Sequence, residues 1–219
     1  MIRTTKVYID FECINGKFTK ALGFNDNMPF MHYLYWTNNF NAPYADTQWI
    51  SSEKEYLNEN ELINTLKQRL MKDIQKIEEY TDSKVIFICH GSNIEEEIIN
   101  DKMKLDNDVI RSSKTEGYDL DKLYKSKLYW KGNKHYFKAT KEILSRQKHI
   151  KHIDDILSDN GWLTSHLGTL IVANDKYIEL PKNMQASFSE QDYYIFVDEL
   201  KEYSNDDAKK LCELDNYLW

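Results

Sequence analysis

The segment VIFIC, residues 85–89, is short, wholly apolar and rich in β-branched side chains, the mark of a strand covered on both faces. Just before it, Ile63, Leu66, Leu70, Ile74 and Ile77 repeat at helical spacing with charges between them, which predicts an amphipathic helix over 59–80 that TDSK then ends. A helix leading into a doubly covered strand requires an α/β layering, because only helices on both faces of a sheet bury such a strand twice. Upstream, residues 6–14, 18–24 and 30–36 read as three strands of an antiparallel meander, with NGK at 15–17 and NDNMP at 25–29 as turns. Downstream, HGSN leads into a helix through Ile94, Ile98 and Ile99, so the opening order is βββαβα. Helical pieces are predicted at 120–129 and 138–146, and the segment from Trp162 to Leu180 fits a strand, a hairpin or irregular structure. The C-terminal stretch reads as two helices or one bent one, its stripe of Phe196, Leu200, Tyr203, Leu211 and Leu214 packing back onto the sheet.

A chain of 219 residues with no Pro/Gly/Ser-rich linker forms a single domain, 1–219. Cys13, Cys89 and Cys212 show no CxxC spacing, and two lie in apolar runs, which suits buried free thiols in a reducing compartment. No leader-like or membrane-length apolar run is present, so a cytoplasmic location and no membrane partner are expected. The net charge of −7 argues by itself against nucleic acid, yet charge is unevenly spread. Between Lys122 and His152 stand nine lysines and Arg146 against the single acid Glu142, marking a basic, insertion-like segment at about 120–152. Lys125, Lys127, Tyr129, Trp130, Lys131, Lys134 and Lys138 interleave cations with aromatic rings, a pattern that suits single-stranded nucleic acid. The competing reading is a solvated helix face whose aromatics belong to the core.

VYIDFEC, residues 7–13, sets Asp10 and Glu12 on one side of the first strand and Ile9 and Phe11 on the other. Side-by-side carboxylates are costly unless a cation lies between them or water reaches both. An acid pair on the first strand, an acid where the fourth strand gives way to a helix and an acid on a C-terminal helix can converge above the sheet. Four carboxylates at one point need cations, and an all-oxygen set favours a pair of Mg²⁺ or Mn²⁺ ions over zinc.

Three motifs stand in a meaningful order: YIDFE with Asp10 and Glu12, CHGSNIEEEII with His90 and Glu95, and EYSNDDAKKL with Tyr203 and Asp207. On these the chain resembles the DEDD exonuclease superfamily with the tyrosine-type third motif. The resemblance spans most of the chain and implies a ribonuclease H-like fold, a mixed five-stranded sheet flanked by helices. The chain departs from the family at motif two, with Glu95 where Asp is usual and Gly91 where Asn is usual. Glu96 and Glu97 are the acids of the neighbouring registers, and Asp206 is the alternative to Asp207 in a rotated helix. A stretch beginning YDLDKLYK also looks like one seen in an uncharacterised bacterial group of that superfamily.

The resemblance implies catalytic Asp10, Glu12, Glu95, Tyr203 and Asp207. Asp10 would bridge two Mg²⁺ or Mn²⁺ ions, Glu12 and Asp207 would complete the shell of the one that activates water, Glu95 would support the site, and Tyr203 would orient the water. The implied activity is metal-dependent 3′–5′ hydrolysis of single-stranded DNA or RNA to nucleoside 5′-monophosphates. Two rivals remain: a non-catalytic nucleic-acid-binding module on the same fold, and a ribonuclease H-fold endonuclease. His90 reads as a strand-end hydrogen-bonding residue, and His135, His149 and His152 are too scattered for a zinc site. Trp36, Trp49 and Trp162 read as core or rim aromatics. Asp119, Asp121 and Asp215 are reserve acids.

Overall fold

A computed structural model describes residues 3–25, 27–37, 44–49, 58–90, 93–112, 120–127 and 135–217. Its centre is a mixed sheet whose strands are β1 (Thr4–Ile14), β2 (Met28–Trp36), β3 (Tyr44–Trp49), β4 (Lys84–Cys89) and β5 (Val109–Arg111), in the order β3-β2-β1-β4-β5. β1 runs antiparallel to β2, which runs antiparallel to β3, while β4 is parallel to both β1 and β5. The expected α/β layering is therefore present. VIFIC is the core of β4, with Val85, Phe87, Ile88 and Cys89 all buried.

The helix expected at 59–80 is α2 (Glu59–Thr81). The Asn58 side chain accepts from the Glu61 backbone N–H at its start, and Asp82 ends it in the left-handed conformation. Its apolar stripe is buried in the same core as Val7, Ile9 and Phe11 of β1. On the other face, Tyr8, Tyr33 and Ile88 pack against Ala208, Leu211 and Cys212 of the C-terminal helix, α8 (Glu190–Tyr217). That stretch is one helix, and Phe196, Leu200, Leu211 and Leu214 of the expected stripe are buried while Tyr203 is partly so.

Two expectations change. Residues 18–24 do not form the second strand: Lys17–Leu22 is a helix, α1, and the meander is completed by β3 instead. Phe18, Thr19 and Leu22 are the buried positions, and Gly23 at φ 75° closes the helix with its N–H directed at Lys20 and Thr19 carbonyls, a conformation a side chain would strain. Six residues are too few for a period of 2 to be told from one of 3.6, so Phe18, Leu22 and Phe24 read equally well as alternation. The open segment after Trp162 is a helix, α7 (Asn160–Lys176), capped by the Asp159 side chain on the Trp162 N–H. The remaining helices are α3 (Ile94–Glu96), continued by a π-helical turn over Glu97–Lys102, α4 (Leu120–Lys127), α5 (Lys138–Ser145) and α6 (Ile153–Ser158). All three cysteines are free and buried. Among the described residues, no helix is long and apolar enough to cross a membrane.

Candidate active site

α8 lies along β1 with the two chains running in opposite senses. Ser204 meets Asp10 near the strand's middle, and Cys212 and Asp215 meet Tyr8 towards its start. Ser204, fully buried, donates from Oγ to Asp10 Oδ2 at 3.0 Å. Tyr8 donates to Asp215 Oδ2 at 2.9 Å, and Lys6 pairs with the same oxygen. This register brings the third sequence motif over the acid pair of β1. Glu95 arrives from α3, just past the end of β4, the parallel neighbour of β1, and is buried.

The four acids feel one another. Burial is the main reason the Asp10 carboxyl is pushed up to about 8, and the charges of Asp207 and Glu95 raise it further. Glu12 is raised well above the carboxylate range by burial, then by Asp10, Asp207 and Glu95. A hydrogen bond between Asp10 and Glu12 lowers the former and raises the latter. Glu12 Oε1 is buried and, among the described residues, has no hydrogen-bond partner.

The neighbouring acids are otherwise engaged. Glu96 lies 3.7 Å from Arg111 Nε, and Glu97 is exposed. Asp206 accepts from the Tyr136 hydroxyl at 2.8 Å, which leaves Asp207 as the α8 acid whose charge reaches Asp10 and Glu12. Lys210, itself buried, is 3.1 Å from Asp207 Oδ1 and donates to the Tyr136 hydroxyl at 2.6 Å. Tyr203 is held by ring contacts with Tyr136 and Phe137, centroids 5.1 and 5.2 Å apart.

Among the described residues, no three His, Cys, Asp or Glu side chains form a ready-made metal cage. The fit to a cation therefore rests on donor chemistry. The carboxylate oxygens of Asp10, Glu12, Glu95 and Asp207 are hard donors, their mutual repulsion is relieved by positive charge, and the orphaned Glu12 oxygen lacks a partner. Cys13, beside them, is kept a neutral thiol by burial and by the charges of Glu12 and Glu95. These residues fit a hard divalent ion and not a soft one.

Ser204 and Lys210 were not singled out from the sequence. Both sit three residues from Asp207, on one face of a helix, so their spacing carried the signal. Tyr136 had none, because its partners are far along the chain. In the basic segment the described side chains divide. Lys138 is exposed and Lys125 partly so, whereas Tyr136 and Phe137 are buried and Tyr124 donates to Glu213. These rings are consumed by contacts with α8. Lys127 closes α4, but its side chain lies outside the described residues, as do Tyr129, Trp130, Lys131 and Lys134. Asp119, Gly91 and the side chains of Trp49 and Asp121 also lie outside them. No family model matches the chain, and no curated protein or solved structure compared with it matches either.

Proposed function

We propose that the chain is a metal-dependent 3′–5′ exonuclease of the DEDD superfamily, with the tyrosine-type third motif on a ribonuclease H-like sheet. The observation that carries this reading is the mutual electrostatic coupling of Asp10, Glu12, Glu95 and Asp207, delivered by three separate elements. The strand order β3-β2-β1-β4-β5, with β4 parallel to β1, supports it.

Asp10, Glu12, Glu95 and Asp207 would hold two Mg²⁺ or Mn²⁺ ions, which when bound supply Lewis-acid stabilisation of charge on the attacking and leaving oxygens. Ser204 fixes the Asp10 carboxylate and favours its ionised form. The Tyr203 ring is clamped by Tyr136 and Phe137, so its hydroxyl can orient a water without losing side-chain freedom on binding. That water would lose a proton to solvent as its oxygen attacks phosphorus, the bond from phosphorus to the 3′ oxygen of the preceding nucleotide would break, that oxygen would take up a proton to become the new 3′ hydroxyl, and a nucleoside 5′-monophosphate would leave.

One observation favours a non-catalytic binding module instead. The Lys210–Asp207 ion pair supplies a protein cation to one of the four acids. The assay that separates the readings uses 5′-labelled single-stranded DNA and RNA of one sequence with Mg²⁺, Mn²⁺ or EDTA. Stepwise shortening from the 3′ end is expected with metal and not with EDTA. Asp10→Ala should lower the rate by about a thousand-fold or more while the fold survives, since several kcal/mol of transition-state stabilisation is lost. Internal cuts would indicate an endonuclease. Salt-sensitive binding without any cleavage would leave only the module.

A further inference from the structure

Lys17, Phe18, Trp162 and His166 border a cavity of about 460 Å³ between α1, α7 and the segments around 150–156 and 183–184. That volume is in the range of small-ligand sites, and none of the four acids or Tyr203 lines it. Lys17 and Lys151 face it, and among the described residues no carboxylate pairs with either. Asp155, the acid on its wall, lies 3.3 Å from His152 Nδ1. Trp162 is 47% exposed, unusual for an indole on a structured helix, and Lys17 Nζ stands 4.7 Å from its ring centroid and 5.0 Å from that of Phe18.

His166 is fully buried and stacks on Phe18. Its Nε2 lies 3.1 Å from the Met184 carbonyl, which can only accept, so Nε2 carries the proton. Burial pushes its pKa down to about 4, so the ring is neutral near pH 7. Nδ1 is then a bare acceptor, buried and, among the described residues, without a hydrogen-bond partner. An exposed aromatic face and two cations without acids beside a cavity of this size are the complement of a nucleotide. The base stacks and the phosphate meets ammonium groups.

The cavity is also tied to the acid-bearing strand. Asn15, at the end of β1, donates from its backbone N–H to Ser165 Oγ at 2.9 Å, and Ser165 donates to Asn15 Oδ1 at 2.7 Å. Lys17 follows Glu12 by five residues, which bounds their backbone separation at about 18 Å.

We propose that this cavity is a nucleotide pocket that seats one nucleoside monophosphate unit, its base against Trp162 and its phosphate between Lys17 and Lys151. The unit belongs either to the strand being cut, which rests on the exonuclease reading, or to a free nucleotide, which does not. The test is calorimetric titration of the protein in EDTA with nucleoside 5′-monophosphates and with a short single-stranded oligonucleotide, repeated for Trp162→Ala and for Lys17→Ala combined with Lys151→Ala. Trp162→Ala should weaken binding about 5- to 150-fold, the loss of one stacked base. The double lysine variant should reduce the salt slope of oligonucleotide binding by about 0.7, for the one phosphate held between them. Variant-sensitive binding of the monophosphates identifies a free nucleotide as ligand. Binding of the oligonucleotide alone identifies the strand.

The proposal is overturned if neither ligand binds, or if both variants, folded by circular dichroism, bind as the parent does. Cleavage assays with Mn²⁺ on the same proteins separate the two ideas. Pocket binding without cleavage defeats the exonuclease reading and leaves the pocket. Cleavage with unaltered binding in the variants does the reverse.

Discussion

Ser204 and Lys210 both favour charge on the acid cluster, one by a hydrogen bond and the other by an opposite charge. Ser204 donates to Asp10 and favours its charged form, and Lys210 compensates the charge of Asp207 directly. Neither contacts Glu12, whose carboxyl is held well above the carboxylate range by burial and then by Asp10, Asp207 and Glu95. This makes stability of the metal-free protein depend on pH with a definite sign. In the unfolded chain Asp10 ionises near pH 4, but in the folded chain it holds its proton until about pH 8. A raised carboxyl contributes stability that is fully present below the unfolded value and is lost as pH climbs through the folded one. In EDTA the melting temperature should therefore fall between pH 5 and pH 9, with a smaller fall for Asp10→Asn. Mg²⁺ or Mn²⁺ at pH 8 should raise it again by neutralising the cluster. Melting in EDTA that changes equally for both proteins over that window would show that Asp10 does not carry the strained charge.

Helices α1 and α7 show why some elements were legible and others not. α2 announces itself because one face is buried and the other wet, so its apolar residues repeat every three to four positions. α7 is buried on every side from Leu163 to Ala173, with Thr164, Ser165, His166 and Thr169 buried among the apolar residues, so it has no polar face and no period to tell a helix from a strand. What makes it a helix is capping by Asp159 and close packing on the sheet through Gly168. A Cβ built at Gly168 would stand 2.5 Å from a ring carbon of Phe30. Gly168→Ala should therefore destabilise the protein by about 1–3 kcal/mol, although alanine is the better helix former. Urea unfolding measures this directly, and a variant as stable as the parent would mean the Phe30 ring has room to turn.

A single apolar cluster joins residues of β1, β2, β4, α1, α2, α5, α6, α7 and the first half of α8, and the second half of α8 closes over the opposite face of the same sheet. Early and late parts of the chain are thus mutually dependent, and unfolding should be one transition, with far-UV and near-UV signals coinciding in urea. Separate midpoints would divide the molecule into independently stable parts. Periodicity and burial class alone determined the α/β layering, the acid pair facing one side of β1, the long α2 and the doubly covered β4, because each is a local pattern imposed by 2.0 or 3.6 residues per repeat. The tertiary structure decided which α8 acid lies over Asp10, which of three consecutive glutamates turns inward, and that Tyr136 and Phe137 buttress Tyr203. It also assembled the cavity beside Trp162 from α1, α7 and two distant segments. Those are matters of register and of contacts between residues far apart in the chain, where a rotation of one residue exchanges Asp206 for Asp207. Only packing against the sheet supplies the energy that selects between them.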